Sequence, residues 1–227
     1  NIANKNIGKN LQDHLTVNIS ATVEGHSTFY EELRGLNVIK HLINYYRNKP
    51  SIFSYAAADV GVFFKLNENS QNPDFQIHFA PGAGQYHKDG KMRPISGITA
   101  SVCQLRPFSR GSVKLQTANY EDDPIIDYGY LNDSRDTKIL LKGIKIVRQF
   151  FKTTVMNNLN AKEVAPGIDV TNDAELEKFL KATALSVYHP VGTCKMGLDS
   201  TSVVDPELRV HGVEGLRVAD ASILPQL

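Results

Sequence analysis

The sequence has no long apolar run, no excess of charge of either sign and only two cysteines. No run approaches the roughly 20 apolar residues of a transmembrane helix, and no signal-peptide pattern is present. The formal net charge of +1 gives no reason to expect nucleic acid or an anionic membrane as a partner. Cys103 and Cys194 match no metal-ligand or redox spacing. We expect both thiols to be reduced, which favours a cytoplasmic protein, and a disulfide between them is the alternative. Peripheral attachment to a membrane is left open.

The length of the chain limits the number of domains it can form, and its ends indicate how complete it is. The 227 residues are enough for one large domain or one and a half ordinary ones, and the apolar content of 41% is ordinary for a globular protein. The chain does not begin with methionine and stops just after a strand-like run. We therefore expect a fragment of a longer protein.

Hydrophobic periodicity predicts strands with helices interspersed but no regular βαβ alternation, which favours an α+β fold. The predicted strands are 15–24, 55–66, 75–80, 98–106, 112–117 and 215–222. The predicted helices are 31–48, 133–155 and a third that Asn172 and Glu175 cap. The 55–66 strand is predicted to be buried, and 85–96 is predicted as a surface loop. The short connection 107–111 predicts an antiparallel pair between its flanking strands.

The segment Ser186 to Gly197 contains the strongest candidate for catalytic chemistry. Pro190 pushes the preceding His189 out of the helical region, and Gly192 and Gly197 allow tight turns or close backbone approach. This pattern predicts a rigid loop that holds one imidazole at the join of two elements, a common position for catalytic groups. The alternative is a hydrogen-bonded core histidine beside a structural turn.

Several motifs resemble, in chain order, those of the glucose-methanol-choline (GMC) flavin oxidoreductases, with the choline-dehydrogenase-like bacterial members most similar. They occupy 8–14, 107–113, 126–143, 188–197, 204–205 and 216–222. The resemblance therefore covers nearly the whole chain. Two family features are absent from this sequence: the Gly-x-Gly-x-x-Gly that holds the ADP part of FAD, and the second active-site His or Asn.

The resemblance implies helices packed on an antiparallel sheet of about six strands, with short pieces of a Rossmann-like FAD domain at both ends. Residues 1–16 would be the junction with the FAD domain, and 17–185 the substrate domain. Residues 186–227 would hold the active-site loop and part of a return strand. The sheet face that the flavin domain covers in the family would be exposed and could join copies into a homo-oligomer.

The resemblance also implies that the intact protein oxidises a small-molecule alcohol to an aldehyde or ketone by hydride transfer to flavin N5. His189 would act as acid and base, which suits an imidazole at neutral pH. The implied cofactor is FAD, with contacts from Val187, Asp220, Ala221 and Asn10. The implied substrate-binding residues are Asp59, Tyr55 and Phe63, which suit a quaternary ammonium group.

Alternatives stay open at each of these positions. Asp59 could pair with a neighbouring basic group, Asp220 could cap a turn, Val187 could be core, and Asn10 and Asp13 could be scaffold. The whole chain could be a non-catalytic binding domain with a GMC-like fold. A Ser–His–Asp hydrolase is disfavoured because no Gly-x-Ser-x-Gly elbow is present. The isolated chain is expected to be inactive.

Overall fold

A computed structural model describes residues 4–86 and 91–227, which form two compact units. Unit one comprises Asn1–Leu15, Gln104–Lys138 and Leu185–Leu227, and unit two comprises Thr16–Cys103 and Ile139–Ala184. The segment Gln104–Lys138 therefore belongs with the terminal segments, whereas the division made on the sequence placed it within 17–185. In the described part of the chain, no helix is long and apolar enough to cross a membrane.

The strands and helices are numbered in chain order. The strands are β1 (Lys9–Leu11), β2 (Leu15–Thr22), β3 (Val60–Phe64), β4 (Phe75–Ala80), β5 (Ala83–Tyr86), β6 (Met92–Ile95), β7 (Ile98–Gln104), β8 (Gly111–Lys114), β9 (Ile125–Asp127), β10 (Lys162–Ala165) and β11 (Leu185–Ser186). The helices are α1 (Phe29–Glu32), α2 (Gly35–Tyr46), α3 (Ser134–Phe151), α4 (Thr154–Asn158) and α5 (Asp173–Thr183). Two 3₁₀ turns cover Ile52–Ser54 and Ala221–Ile223.

Unit two is built on a sheet whose strands pair in the order β10-β2-β7-β4-β3. The pairs β10–β2, β2–β7 and β3–β4 are antiparallel. The alternation of apolar and polar residues in β2 points Val17, Ile19 and Ala21 inward, where all three are fully buried. The predicted α+β class with a mainly antiparallel sheet is confirmed.

The long helix α3 packs directly on this sheet. Its predicted apolar stripe is buried, with Leu140 and Ile144 at 0% exposure and Val147 at 1%. At Gly143 a β-carbon would lie only 2.5 Å from Cγ1 of Val102 on β7, so the helix backbone touches the strand. The predicted cap at Asn172 is also confirmed, since its side chain accepts a hydrogen bond from the Glu175 amide at 2.9 Å.

Unit one contains a small sheet in the order β1-β8-β9. The predicted pairing of the strands on either side of 107–111 is therefore wrong, because β7 pairs with β2 and β4 while β8 pairs with β1 and β9. Two features of the connection explain this. Buried Asp136 accepts hydrogen bonds from the amides of Phe108 and Ser109 at 2.9 and 2.7 Å. Gly111 lacks the β-carbon that would collide with the Asp127 carbonyl of β9.

Two further predictions about strands are wrong. The run 55–66 forms a strand only from Val60, every residue of β3 is exposed, and Asp59 precedes the strand on the surface. Its apolar composition indicated burial, but β3 lies at the end of the sheet order and, among the strands of 4–86 and 91–227, pairs with β4 alone. The predicted return strand at 215–222 does not form. Glycines with φ of 78° at 212 and 74° at 215 reverse the chain, leaving a single bridge from Arg209 to Arg217.

The helix predicted over 31–48 divides into α1 and α2, separated at Leu33 and Arg34. The loop predicted over 85–96 instead contains an antiparallel pair between β5 and β6, whose register joins Ala83 to Ile95. Residues 87–90 of that loop, and 1–3 of the predicted junction, lie outside the described residues.

The close approach at Gly143 makes a prediction about stability. Gly143→Ala should lower the free energy of unfolding by about 1 kcal/mol, because overpacking against Val102 costs about 1–3 kcal/mol and exceeds the helix-propensity gain of about 1 kcal/mol. In a Val102→Ala background the same substitution should instead stabilise by about 1 kcal/mol. Urea denaturation of the four proteins measures both effects, and stabilisation by Gly143→Ala in the wild-type background would contradict this packing.

Candidate active site

A buried carboxylate anchors the loop that contains His189. Asp13, between β1 and β2, is only 4% exposed. Its Oδ1 accepts a hydrogen bond from the His189 amide at 2.8 Å. Its Oδ2 accepts from the hydroxyl groups of Ser186, at 2.5 Å, and Tyr130. A buried charge is tolerated only when it is well hydrogen-bonded, so this residue forces the three donors to converge.

The scaffolding role predicted for Asp13 agrees with these contacts. Burial, together with the Asp13 contact, raises the pKa of Tyr130, which therefore remains a neutral hydrogen-bond donor at neutral and moderately alkaline pH. Ser186 donates its hydroxyl proton to the same carboxylate. The described contacts therefore give Ser186 a structural position and do not form a serine nucleophile paired with His189.

The His189 ring contacts a second histidine, His14. The Nδ1 atoms of the two rings are 3.1 Å apart, and Nε2 of His14 lies 3.0 Å from the carbonyl oxygen of Leu105. A carbonyl only accepts hydrogen bonds, so His14 carries its proton on Nε2 and its Nδ1 is an acceptor. His189 must then donate from Nδ1. Its Nε2 is left as the basic nitrogen of the neutral ring, and the residue is exposed.

The His14 contact is compatible with both protonation states of His189. Neutral His189 donates from Nδ1 and has a free lone pair on Nε2, and protonated His189 donates from Nδ1 in the same way. Burial lowers the pKa of His14, which keeps this ring neutral and accepting at pH 7. Charge on His189 acts in the same direction, while the Leu105 carbonyl and Asp13 oppose it. His189 can therefore take up and release a proton at Nε2 without losing its partner.

Backbone contacts fix the rest of the loop. The pair Gln12 and Val191 exchange hydrogen bonds at 3.0 and 2.9 Å. Gly192 has φ of 94°, and a β-carbon there would lie 2.3 Å from the carbonyl oxygen of Asn10. The Cys194 amide donates to the Ser222 carbonyl at 2.9 Å, which ties the loop to the C-terminal segment. These contacts hold the loop backbone at three points, as the predicted rigid loop requires.

The residues predicted to contact flavin differ in their exposure and in whether their side chains are already hydrogen-bonded. The Asn10 side chain already bonds Arg110 at 3.0 Å and Pro225 at 3.2 Å, which is a scaffolding arrangement. Val187 is half-buried, and its amide donates to the His14 carbonyl. Asp220 and Ala221 are exposed, and the Asp220 carboxylate caps the turn at Ala221–Ile223. The cap that the sequence offered as an alternative is therefore present.

The residues predicted to bind substrate belong to unit two. Asp59 and Tyr55 line a cavity of about 320 Å³, together with Phe29, Glu32 and His41. Hydrogen bonds from Ser27 and His41 lower the pKa of Glu32, so that carboxylate is charged at neutral pH. Phe63 is 61% exposed on β3 and does not line this cavity.

The cavity is acidic. Its lining residues are Ser27, Thr28, Phe29, Glu32, His41, Pro50, Ser51, Ile52, Tyr55, Asp59 and Pro81. They include two carboxylates and no lysine or arginine. Asp59 forms no ion pair with any residue in 4–86 or 91–227, so the alternative of a paired carboxylate receives no support.

Sequence reasoning missed His14 as a functional residue. The stretch Gln12-Asp13-His14 belongs to the family-like motif at 8–14, but nothing in a single sequence indicates that His14 contacts a residue 175 positions later. The available signal was the position of His14 directly before a half-buried strand. That position brings its backbone and ring to the edge that Val187 and His189 reach.

Comparison with known proteins finds a matching family model and curated relatives that align with nearly the whole chain. A family model described as "GMC oxidoreductase" matches residues 107–227, more than half of the chain. An alcohol dehydrogenase [acceptor] from Pseudomonas putida is 39% identical over 97% of this chain and 40% of its own length. An oxygen-dependent choline dehydrogenase from Cronobacter sakazakii is 34% identical over 96% of this chain and 39% of its own length. The chain thus spans about two fifths of these relatives.

Solved structures share the fold. A formate oxidase from Aspergillus oryzae RIB40 superposes with a TM-score of 0.86 at 23% identity, covering 97% of this chain and 43% of that one. An FAD-dependent oxidoreductase from Chaetomium thermophilum gives a TM-score of 0.84 at 22% identity, covering 98% of this chain and 45% of that one. At these identities the likeness concerns the fold alone.

The contact between the two histidines predicts a defined pair of tautomers. At pH 7.5, ¹⁵N NMR of the side chains should find His14 protonated on Nε2 and His189 protonated on Nδ1, with His14 remaining neutral to a lower pH than an ordinary histidine.

Two substitutions of His14 provide matched tests. His14→Asn can place an oxygen acceptor near the Nδ1 position, so His189 should keep its Nδ1 proton. His14→Gln can retain only the bond to Leu105, so the His189 tautomers should mix. Identical His189 spectra in the two variants would contradict the assignment.

Proposed function

Because the chain belongs to the GMC oxidoreductase family, we propose that it is the part of an FAD-dependent alcohol oxidoreductase that supplies the acid–base histidine, His189. The observation that carries the proposal is the basic Nε2 of an exposed imidazole, held in one tautomer by His14 and in one position by Asp13. Such an imidazole suits proton transfer at neutral pH. The relatives named above are an alcohol dehydrogenase and a choline dehydrogenase, which agrees with this reaction class.

The proposed reaction converts an alcohol to an aldehyde or ketone. The hydroxyl proton passes to Nε2 of His189, the oxygen–carbon bond becomes a double bond, and the carbinol hydrogen leaves as a hydride. FAD, when bound, supplies the hydride acceptor. His189 then carries protons on both nitrogens and still donates from Nδ1 to His14. Release of the Nε2 proton returns the ring to its starting state.

The residues at the loop are compatible with a flavin, although the chain spans only about two fifths of its relatives. The segment from Asp220 to Ser222 is tied to the His189 loop by the Cys194 amide, so both reach one part of unit one. Asp220 and Ala221, which are both exposed residues, would hold the cofactor, whereas Asn10 would support the loop. The chain alone, without the remaining part of such an enzyme, is expected to be inactive.

The substrate class follows from the cavity in unit two. Two carboxylates, Glu32 and Asp59, and the rings of Phe29 and Tyr55 line it. This combination of negative charge and aromatic faces suits a cationic group through charge attraction and cation–π contact. We propose that Asp59 and Tyr55 bind the substrate and that alcohols carrying a positive charge are preferred. Phe63 is not assigned this role, because it lies outside the cavity lining.

In the intact flavoprotein, His189→Ala should reduce turnover about 10²–10⁴-fold, because a general acid–base group contributes that much to the rate. Flavin content should be unchanged. Steady-state alcohol oxidation and the visible absorbance of the purified variant measure the two properties. His211→Ala is the matched control, since His211 is an exposed histidine that bonds Gly197 at 3.1 Å. Equal turnover in the two variants would reject His189 as the acid–base group.

Asp59→Asn tests the proposed substrate class. Removing this charge should raise KM about two- to fivefold for a cationic alcohol such as choline, since exposed charge pairs contribute up to about 1 kcal/mol. KM for a neutral alcohol of similar size should change little. Asp169→Asn, an exposed substitution in the same unit, is the control. Equal changes for the cationic and the neutral substrate would exclude a specific role in charge recognition.

A further inference from the structure

Helix α2 turns its apolar side towards solvent. Leu36, Ile39, Ile43 and Tyr46 recur at intervals of three or four residues and form one stripe along the helix. Leu36 and Tyr46 are 82% and 83% exposed, and Ile39 and Ile43 are each 50% exposed. No residue of the helix is buried. A surface helix ordinarily packs such a stripe against the protein core, so the orientation of α2 is reversed.

The polar side of α2 attaches the helix to unit two. His41 Nε2 lies 2.7 Å from the Glu32 carboxylate, and His41 Nδ1 accepts a hydrogen bond from the Ile52 amide at 3.2 Å. The Ser51 hydroxyl donates to the His41 carbonyl at 2.7 Å. These contacts involve groups on the side of the helix opposite Leu36. The outward direction of the apolar stripe is therefore held by specific bonds.

Helix α2 contains no carboxylate, and the nearby carboxylates of Glu32 and Asp59 line the cavity instead. Residues 33–58 contain no aspartate or glutamate, and their four basic residues are Arg34, Lys40, Arg47 and Lys49. All four are exposed, and none forms an ion pair with an acidic side chain in the described ranges 4–86 and 91–227. Basic residues elsewhere do pair with acids, including Lys145, Lys181 and Arg209. A net charge of +1 for the whole chain hides this local excess.

We propose that α2 binds the surface of an anionic phospholipid bilayer, a role that goes beyond the proposed function. The 12-residue helix, about 18 Å long, would lie in the plane of the interface with its apolar stripe among the upper acyl chains. Lys40 and Arg47, at one border of the stripe, would extend to lipid phosphates. Tyr46, at the end of the stripe, suits the headgroup level, because its ring combines an apolar body with a polar hydroxyl.

The charge favours lipid over a second copy of this chain. A symmetric dimer through the stripe of α2 would bring Lys40 and Arg47 of one copy close to the same two cations of the other, and like charges across an interface repel. An anionic bilayer supplies the opposite charge to every basic residue at once. The remaining alternative is that another protein segment covers the stripe, and the experiment below distinguishes that case from lipid binding.

The test uses the full-length gene product and co-sedimentation with phosphatidylcholine vesicles, with and without phosphatidylglycerol. Binding should require phosphatidylglycerol and weaken with salt. Leu36→Asp should reduce vesicle affinity at least about tenfold, since it removes apolar contact and adds a repelled charge. Leu115→Asp is the matched control, because Leu115 is likewise 82% exposed and lies in unit one. Lys40→Gln and Arg47→Gln should each weaken binding about fivefold.

Two results would overturn the proposal: no binding to anionic vesicles, or equal loss of binding in Leu36→Asp and Leu115→Asp. Light scattering and thermal unfolding identify the other occupants. A mass that halves in Leu36→Asp would indicate a second copy, and a lowered unfolding temperature without a change in vesicle affinity would indicate a covering protein segment. Turnover of a water-soluble alcohol is independent of these outcomes, so failure here is distinguishable from failure of the proposed oxidoreductase activity.

Discussion

The arrangement of unit one depends on the burial of one carboxylate. An ionised Asp13 at 4% exposure is stable only while hydrogen-bond donors surround it, and the donors come from three separate parts of the chain. Its bonds to Tyr130, Ser186 and the His189 amide therefore set where the loop begins. Gly192 sets where the loop turns, because only glycine permits this close approach to Asn10. The imidazole of His189 is exposed, but its backbone is fixed on both sides.

Two adjacent residues, Asp13 and His14, control the position of His189 and the nitrogen on which it carries its proton. Asp13 holds the His189 backbone, whereas His14 selects the nitrogen that carries the His189 proton. The Leu105 carbonyl in turn determines the His14 tautomer. This division allows His189 to gain and lose a proton while every contact in the chain of bonds is kept. Such preorganisation is what an acid–base residue needs, since no rearrangement is then required during proton transfer.

Local signals in the sequence were sufficient for elements whose burial is periodic or whose ends are capped. The stripe of α3, the alternation of β2 and the Asn172 cap were all predictable, because each depends on residues close together in the chain. Partner choice was not predictable. The strands β7 and β8 are adjacent in sequence but belong to different sheets, owing to Asp136 and Gly111, whose contacts are distant. The prediction that Asp59 lies in a buried strand was wrong for a similar reason, because exposure depends on where a strand lies in the sheet. The net charge of a sequence likewise does not show how the charges near α2 are distributed.

The most direct test of the central claim is anaerobic mixing of the intact protein with an alcohol while its visible spectrum is recorded. The account predicts an oxidised flavin spectrum that the alcohol bleaches, at a rate that His189→Ala lowers about 10²–10⁴-fold. A protein without flavin absorbance would contradict the assignment of an FAD-dependent oxidoreductase. Bleaching at an unchanged rate in His189→Ala would contradict the role of His189.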